Sequence, residues 1–304
     1  MNKRQEYAIV VHGGAKSYSK EIEDHLPQYE KGIRASLEKG ADVLSRGGLA
    51  VDAVQEAVIV LEDDPFFNAW RGSALNDHGD IEMDACIANG ENQSSGAVAM
   101  ISSVKNPILL ARAVMDKTPH MFLAGEGAMY FAHRLGVVIK DAMYFKTDVQ
   151  YASFLEALRS RQTSSQVKVH GTVGGVAVDM KGNVAAATST GGTTFKMKGR
   201  IGDSCLYGIG CYADNDTCAI SATGNGEAII KGVVAHDIAA MIKYGGLKLQ
   251  HACDEVVHEA KNVTGEFGVI AVDRSGDVAI SFNSGCMVRG IYRSGEEIIF
   301  KVLE

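Results

Sequence analysis

Two periodicities share the chain. Residues 8–11 form a short unbroken apolar run ending at His12-Gly13-Gly14, the pattern of a buried strand. Over 28–46, Ile33, Leu37, Ala41 and Leu44 recur at helical spacing until Gly47-Gly48 stops them. A second helix is predicted over 50–62, with Val51, Val54, Val58 and Leu61 on one face. Pro65 ends it, and 66–76 reads as an irregular loop. Residues 83–88 and 97–102 predict strands joined by a polar turn at 89–95, and helices are predicted over 107–117 and 125–135. Residues 159–168 are polar and without period, which predicts a solvated arm leading to His170-Gly171-Thr172.

Beyond that arm a strand over 173–179 turns at 180–183 and returns over 184–190. Its turn has an echo. Ala177-Val178-Asp179-x-x-Gly182-Asn183-Val184-Ala185 matches Ala271-Val272-Asp273-x-x-Gly276-Asp277-Val278-Ala279, which predicts two equivalent hairpins in layered sheets. Between them the periodicity predicts helices over 226–244 and 249–261. The order of strands, helix pair and strands fits large antiparallel sheets covered by helices on their outer faces.

The composition of the 304 residues, 46% hydrophobic and 22% charged, is that of a globular protein with room for one large domain or two small ones. A net charge of −7 and the lack of basic runs interleaved with aromatics argue against nucleic acid and acidic membrane surfaces as partners. Residues 1–7 are polar and carry no apolar signal core, and no apolar stretch is long enough to span a bilayer. The six cysteines form no Cys-x-x-Cys pair, so reduced thiols and a cytoplasmic location are expected.

Thr172 is the residue with the most chemical promise. Alone, Gly171-Thr172 reads as the start of a strand. Were the preceding peptide bond cut, Thr172 would carry both a nucleophilic hydroxyl and an α-amine with an ordinary pKa of about 8 to serve as its base. Three hydroxyl- and glycine-rich segments follow. Ser189-Thr190-Gly191-Gly192 ends a strand, Gly199-Arg200-Ile201-Gly202-Asp203-Ser204 sets a cation and an anion three residues apart, and Ser221-Ala222-Thr223-Gly224-Asn225-Gly226-Glu227 opens a helix. Each also reads as a turn, a surface ion pair or a helix entry. Together they supply an amidase. Thr190 would orient Thr172, Thr223 hydroxyl and Gly224 N–H would receive an oxyanion, and Arg200 and Asp203 would clamp an α-carboxylate and an α-ammonium. There is no Gly-x-Ser-x-Gly, His-Glu-x-x-His or Walker motif.

These runs, with His12-Gly13-Gly14, Leu61–Ala69, Glu82-Met83-Asp84-Ala85 and Asn106–Met115, resemble the plant-type asparaginase/isoaspartyl peptidase family over nearly the whole chain. The resemblance implies a single domain over 1–304 with the α+β, four-layer αββα sandwich of N-terminal nucleophile hydrolases. It implies self-cleavage at Gly171–Thr172 into an α subunit (1–171) and a β subunit (172–304). It further implies that Thr172, Thr190, Thr223 and Gly224 are catalytic, and that Arg200, Asp203, Thr223, Gly224, Gly226 and Asn68 bind substrate. The substrates implied are asparagine and isoaspartyl dipeptides, hydrolysed by water without a cofactor, in a dimer of cleaved units. A structural sodium ion is implied on carbonyls of Leu61, Glu62, Asp64, Phe67, Ala69 and Arg71. Where the family usually has glycine this chain has Trp70, which would be strained at a positive φ. Residues 192–196 and Asn225 also depart from the family pattern. The alternatives are a non-cleaving binding protein on the same fold, or a glycosylasparaginase-like amidase, in which Asp would be expected at the position of Gly171.

Overall fold

The structure is a computed structural model that describes residues 7–161, 171–259 and 264–304. The chain runs β1 (Ala8–Lys16), α1 (Lys20–Asp24), α2 (Leu26–Ser45), α3 (Ala50–Asp63), β2 (Met83–Asn89), β3 (Ser94–Ile101), α4 (Pro107–Lys117), β4 (Phe122–Ala124), α5 (Gly125–Arg134), α6 (Ala142–Phe145) and α7 (Asp148–Arg161). After residues 162–170 it continues through β5 (Val173–Val178), β6 (Val184–Thr190), β7 (Cys211–Ala213), β8 (Ala219–Gly224), α8 (Gly226–Gly232), α9 (Val234–Gly245), α10 (Leu249–Asp254), β9 (Phe267–Val272), β10 (Val278–Phe282), β11 (Cys286–Arg293) and β12 (Ile299–Lys301).

Eight strands form one sheet in the order β12-β11-β1-β5-β6-β2-β3-β4, antiparallel except for β3–β4. Four more form an antiparallel sheet, β10-β9-β8-β7. The apolar stripes of α2 and α3, among them Ile33, Leu37, Val54 and Val58, pack on one face of the larger sheet against Ile9, Val11, Ile87, Ala185 and Ala187. The alternate residues of the same strands, Val10, Cys86, Val176, Val184 and Ala186, pack on Ala213, Ala219, Ile270 and Val272 of the smaller sheet. Its far face, Ile220, Ala222, Val269 and Ala271, carries Ile229, Ile238 and Val256 from the helices that follow β8. Both faces of the central strands are thus buried, so 184–187 is apolar throughout instead of alternating.

The echoed hairpins are β5–β6 in one sheet and β9–β10 in the other. Each turns on the same device. Asp179 Oδ1 accepts the N–H groups of Lys181 and Asn183 at 2.9 and 3.0 Å, and Asp273 Oδ1 accepts those of Ser275 and Asp277 at 2.8 and 3.1 Å.

Four expectations need correction. β1 does not stop at His12 but continues to Lys16 through a bulge at His12/Gly14. The helix predicted over 226–244 breaks at Val233, which takes a left-handed conformation with φ 46° and starts α9 afresh. The helix predicted over 249–261 is regular only to Asp254 and continues as a π-helical turn over Glu255–Glu259, with 260–263 outside the described residues. α7 was not anticipated, because 148–161 carries no sustained apolar stripe. The polar arm predicted over 159–168 begins later than expected, since 159–161 belong to α7, and its remainder, 162–168, lies outside the described residues. All six cysteines are buried and unpaired.

Trp70 has φ 40°, so the expected strain is present. The ring is fully buried against Tyr144 and Phe145, with centroids 5.5 and 5.9 Å away, and Lys105 Nζ lies 5.5 Å from its centroid. Relief of strain by Trp70→Gly is worth about 1–3 kcal/mol, whereas emptying a buried aromatic site costs about 3–5 kcal/mol. The cavity term wins, so Trp70→Gly is expected to lower the midpoint of thermal unfolding; an unchanged or raised midpoint would show that strain dominates.

Candidate active site

The ends of β5, β6 and β8 converge on Thr172. Its backbone N–H donates to Thr223 Oγ1 at 3.1 Å, and its Oγ1 donates to Thr190 Oγ1 at 3.2 Å. Both partners close a strand, Thr190 at the end of β6 and Thr223 one residue before the end of β8, so strand length sets where the hydroxyls stand. Thr190 Oγ1 also accepts Gly192 N–H at 2.9 Å, and Thr223 Oγ1 accepts Ala15 N–H at 3.3 Å. All three threonines are buried.

A second chain of polar groups fixes the carbonyl of Thr172. His12 Nδ1 lies 3.0 Å from Thr172 O, and its Nε2 lies 2.9 Å from Ser221 Oγ, which is 2.7 Å from Thr188 Oγ1. Complete burial pushes the imidazole pKa down to about 3, so the ring is neutral at physiological pH. A carbonyl cannot donate, so Nδ1 carries the proton and Ser221 donates to Nε2. His12, Ser221 and Thr188 have no part in the sequence-derived site. His12 and Ser221 lie in runs that carry the family resemblance, but nothing in those runs assigns either a role.

Behind the Gly171–Thr172 bond two glycines meet. A Cβ built on Gly14, where φ is +117°, would lie 2.5 Å from Gly171 Cα, and one on Gly171 would collide with Gly14 Cα. Gly171→Ala is therefore expected to push this backbone apart and, if the chain is cut at Gly171–Thr172, to slow that cut by at least about tenfold, since misplacing reacting atoms by an ångström costs that or more. A time course of fragment appearance on a denaturing gel checks it, and an unchanged rate would refute the steric account.

Asn68 braces the turn after Thr190. Its Nδ2 donates to Gly192 O at 2.6 Å, its Oδ1 accepts Ala74 N–H at 2.8 Å, and its carbonyl accepts Gly191 N–H at 3.1 Å. Asn225, one of the departures, N-caps α8 by accepting Ala228 N–H at 2.9 Å.

Arg200 and Asp203 close on Gly226. A Cβ there would sit 2.7 Å from Arg200 Nη2 and 2.9 Å from Asp203 Oδ1, and only glycine leaves that space open. Gly226 is three residues beyond Thr223, which ties this pair to the hydroxyl cluster. Asp203 is 4% exposed, and its Oδ2 meets no partner among the described residues. Burial raises its carboxyl to about 7, against the smaller opposing pull of Arg200. Arg200 holds Glu227 in a two-pronged pair, Nε to Oε1 and Nη2 to Oε2, both 3.0 Å. That partner was not foreseen. The loop is tethered from β2 and the residue preceding it: Asp84 accepts Gly202 N–H at 3.3 Å, and Glu82 accepts Gly199 N–H at 3.1 Å.

The residues named for sodium follow one another around the end of α3: Leu61 and Glu62 in its last turn, Asp64 at its C-cap, then Phe67, Ala69 and Arg71. The carbonyls of Asp64, Phe67 and Ala69 accept the N–H groups of Phe67, Ala69 and Gly72, which leaves each a second lone pair suited to a hard cation. The Glu62 side chain is engaged elsewhere. It accepts Ser189 Oγ at 2.6 Å and Ile108 N–H at 3.1 Å, and burial pushes its carboxyl up to about 8. Among the described residues no group of three His, Cys, Asp or Glu side chains stands ready for a metal, and no helix is long and apolar enough to cross a membrane.

Comparison with known proteins places the chain in a family. The sequence profile described as asparaginase matches residues 5–300, so the chain belongs to that asparaginase family. It is 42% identical to isoaspartyl peptidase of Escherichia coli (strain K12), over 94% of this chain and 91% of that protein. It is 46% identical to isoaspartyl peptidase/L-asparaginase of Xenopus laevis, over 92% and 90%. To the probable isoaspartyl peptidase/L-asparaginase 2 of Arabidopsis thaliana it is 41% identical, over 93% and 95%.

Proposed function

We propose that this chain is an isoaspartyl peptidase and L-asparaginase, a hydrolase of β-aspartyl amide bonds that activates itself by cutting Gly171–Thr172. The observation that carries the reading is the bracketing of one residue by two hydroxyls, Thr223 on its nitrogen and Thr190 on its oxygen.

In the uncut chain, Thr172 Oγ attacks the Gly171 carbonyl, the C–N bond breaks, and the acyl group passes to oxygen. Water then hydrolyses the ester, giving a Gly171 carboxylate and a free Thr172 amine. The two pieces, 1–171 and 172–304, remain one domain in a four-layer αββα sandwich. In the mature enzyme, Thr172 Oγ attacks the β-carbonyl while the α-amine takes its proton and delivers it to the leaving amine. Thr223 hydroxyl and Gly224 N–H stabilise the oxyanion. Water releases aspartate from the ester. Neutral His12 contributes no charge; it pins the Thr172 carbonyl so that the amine keeps its aim.

Asp203 holds the substrate ammonium, its Oδ1 facing the space over Gly226, and Arg200 takes the α-carboxylate beside or in place of Glu227. Asn68 and Gly226 shape the site around these groups. A sodium ion on the carbonyls of Leu61, Glu62, Asp64, Phe67, Ala69 and Arg71 would stiffen the loop that carries Asn68, without a chemical role. The active form is a dimer of cleaved units. Turnover of asparagine and of a β-aspartyl dipeptide, with an internal isoaspartyl peptide spared, tests the reading; turnover of the internal peptide would contradict the ammonium site.

A further inference from the structure

A cavity beside the scissile bond includes none of the charged residues assigned above. Gly171, Asn68, Lys16, Tyr29, Phe66 and Gln150 are among the residues that line it. Arg200, Asp203 and Gly226 do not border it, and neither does Thr172, so the aspartyl half of a substrate lies elsewhere and this space reaches the nucleophile through Gly171, the residue joined to it.

Its walls are chemically specific. Lys16 ends β1 just after the Gly13-Gly14 bend. Its Nζ donates to Tyr29 Oη at 3.2 Å and lies 5.1 Å from the Tyr29 centroid, so the ammonium is fixed by an aromatic ring. Phe66 meets Tyr29 edge-on at 6.4 Å. Gln150 on α7 is 5% exposed, and its Oε1 meets no donor among the described residues. A buried amide oxygen without a donor is costly and calls for an N–H from a ligand. The α7 wall is held by aromatic contacts on both flanks, Tyr144 and Phe145 on Trp70 before it and Phe154 on Phe195 at 5.6 Å within it.

We propose that this cavity is the subsite for the leaving residue of a β-aspartyl dipeptide. The free α-carboxylate of that residue pairs with Lys16, an apolar side chain lies on Phe66 and Tyr29, and the nitrogen donates to Gln150 Oε1. The proposal rests on Thr172 acting as described. Asparagine, whose leaving group is ammonia, leaves the cavity unfilled.

The test compares β-aspartyl-phenylalanine, its C-terminal amide and asparagine on the mature wild type and on Lys16→Met and Lys16→Arg. The wild type is expected to favour the acid over the amide by about tenfold in kcat/KM, the equivalent of one charge-assisted contact. Lys16→Met abolishes that preference through KM, and Lys16→Arg retains it. A wild type that hydrolyses asparagine yet treats acid and amide alike overturns the subsite alone, without recourse to any variant. So does a Lys16→Met protein in which all three substrates fall in parallel. A cleaved wild type that hydrolyses none of the three overturns the reading of Thr172 and the subsite with it.

Discussion

Thr172→Ala is expected to accumulate as one unbroken chain, with β-aspartyl hydrolysis reduced by at least about 10⁴-fold, the usual consequence of removing a nucleophile. Both effects have one origin. The attacking oxygen is lost, so the bond at Gly171 survives and no free amine arises to act as base. The fold should endure, because the hydroxyl contributes one hydrogen bond to Thr190, worth about 1 kcal/mol. Thr172→Ser retains an oxygen at the same place and is expected to cleave, more slowly. A denaturing gel with an ammonia-release assay reads both outcomes. Hydrolysis by an uncut Thr172→Ala protein would require a different nucleophile.

Asp203→Asn is expected to lower kcat/KM for every β-aspartyl substrate by about 10³-fold, as for a buried charge pair whose partner is removed. The same change is expected to make the unliganded protein more stable. Burial raises the Asp203 carboxyl from 3.8 to about 7. Its protonation therefore favours the folded state fully below about 4, the unfolded value, and that contribution is lost as pH rises through 7. Above pH 7 the empty site holds an ionised, half-unmatched carboxylate that asparagine would not reproduce. The gain of Asp203→Asn in unfolding midpoint should thus be largest at pH 8, about 3 °C or more, and should shrink toward pH 4. Aspartate should stabilise the wild type far more than the variant. The acid limb of kcat/KM should fall near 7, because a protonated Asp203 cannot hold an ammonium. A variant as unstable as the wild type at every pH would show that Asp203 is already matched in the free protein.

The parts of this molecule legible in its sequence were those fixed by short-range pattern. Ile33, Leu37, Val54 and Val58 announced α2 and α3 because a helix repeats its buried face within four residues. Asp179 and Asp273 announced matching hairpins because their turns are closed by neighbours two and four residues on. Val233 was not legible: a β-branched residue is a poor guess for a left-handed position, and only the packing of α8 and α9 selects it. The site shows the same division. Thr172, Thr190 and Thr223 stood out because each is a hydroxyl beside a glycine at one end of a strand. His12 and Ser221 did not, since 209 residues separate them and only the meeting of β1 with β8 brings them together. Arg200 and Asp203 were legible as a pair of charges. That Glu227 occupies the Arg200 fork while one Asp203 oxygen is left unmatched depends on the turn from β8 into α8.

The account stands on residue 172 becoming a chain terminus, and intact mass spectrometry of the active wild-type protein under denaturing conditions addresses this most directly. Two species are expected, one of which begins at Thr172 on N-terminal sequencing and ends at Glu304, with activity rising in step with their appearance. Full activity in a protein whose Gly171–Thr172 bond is unbroken would contradict it.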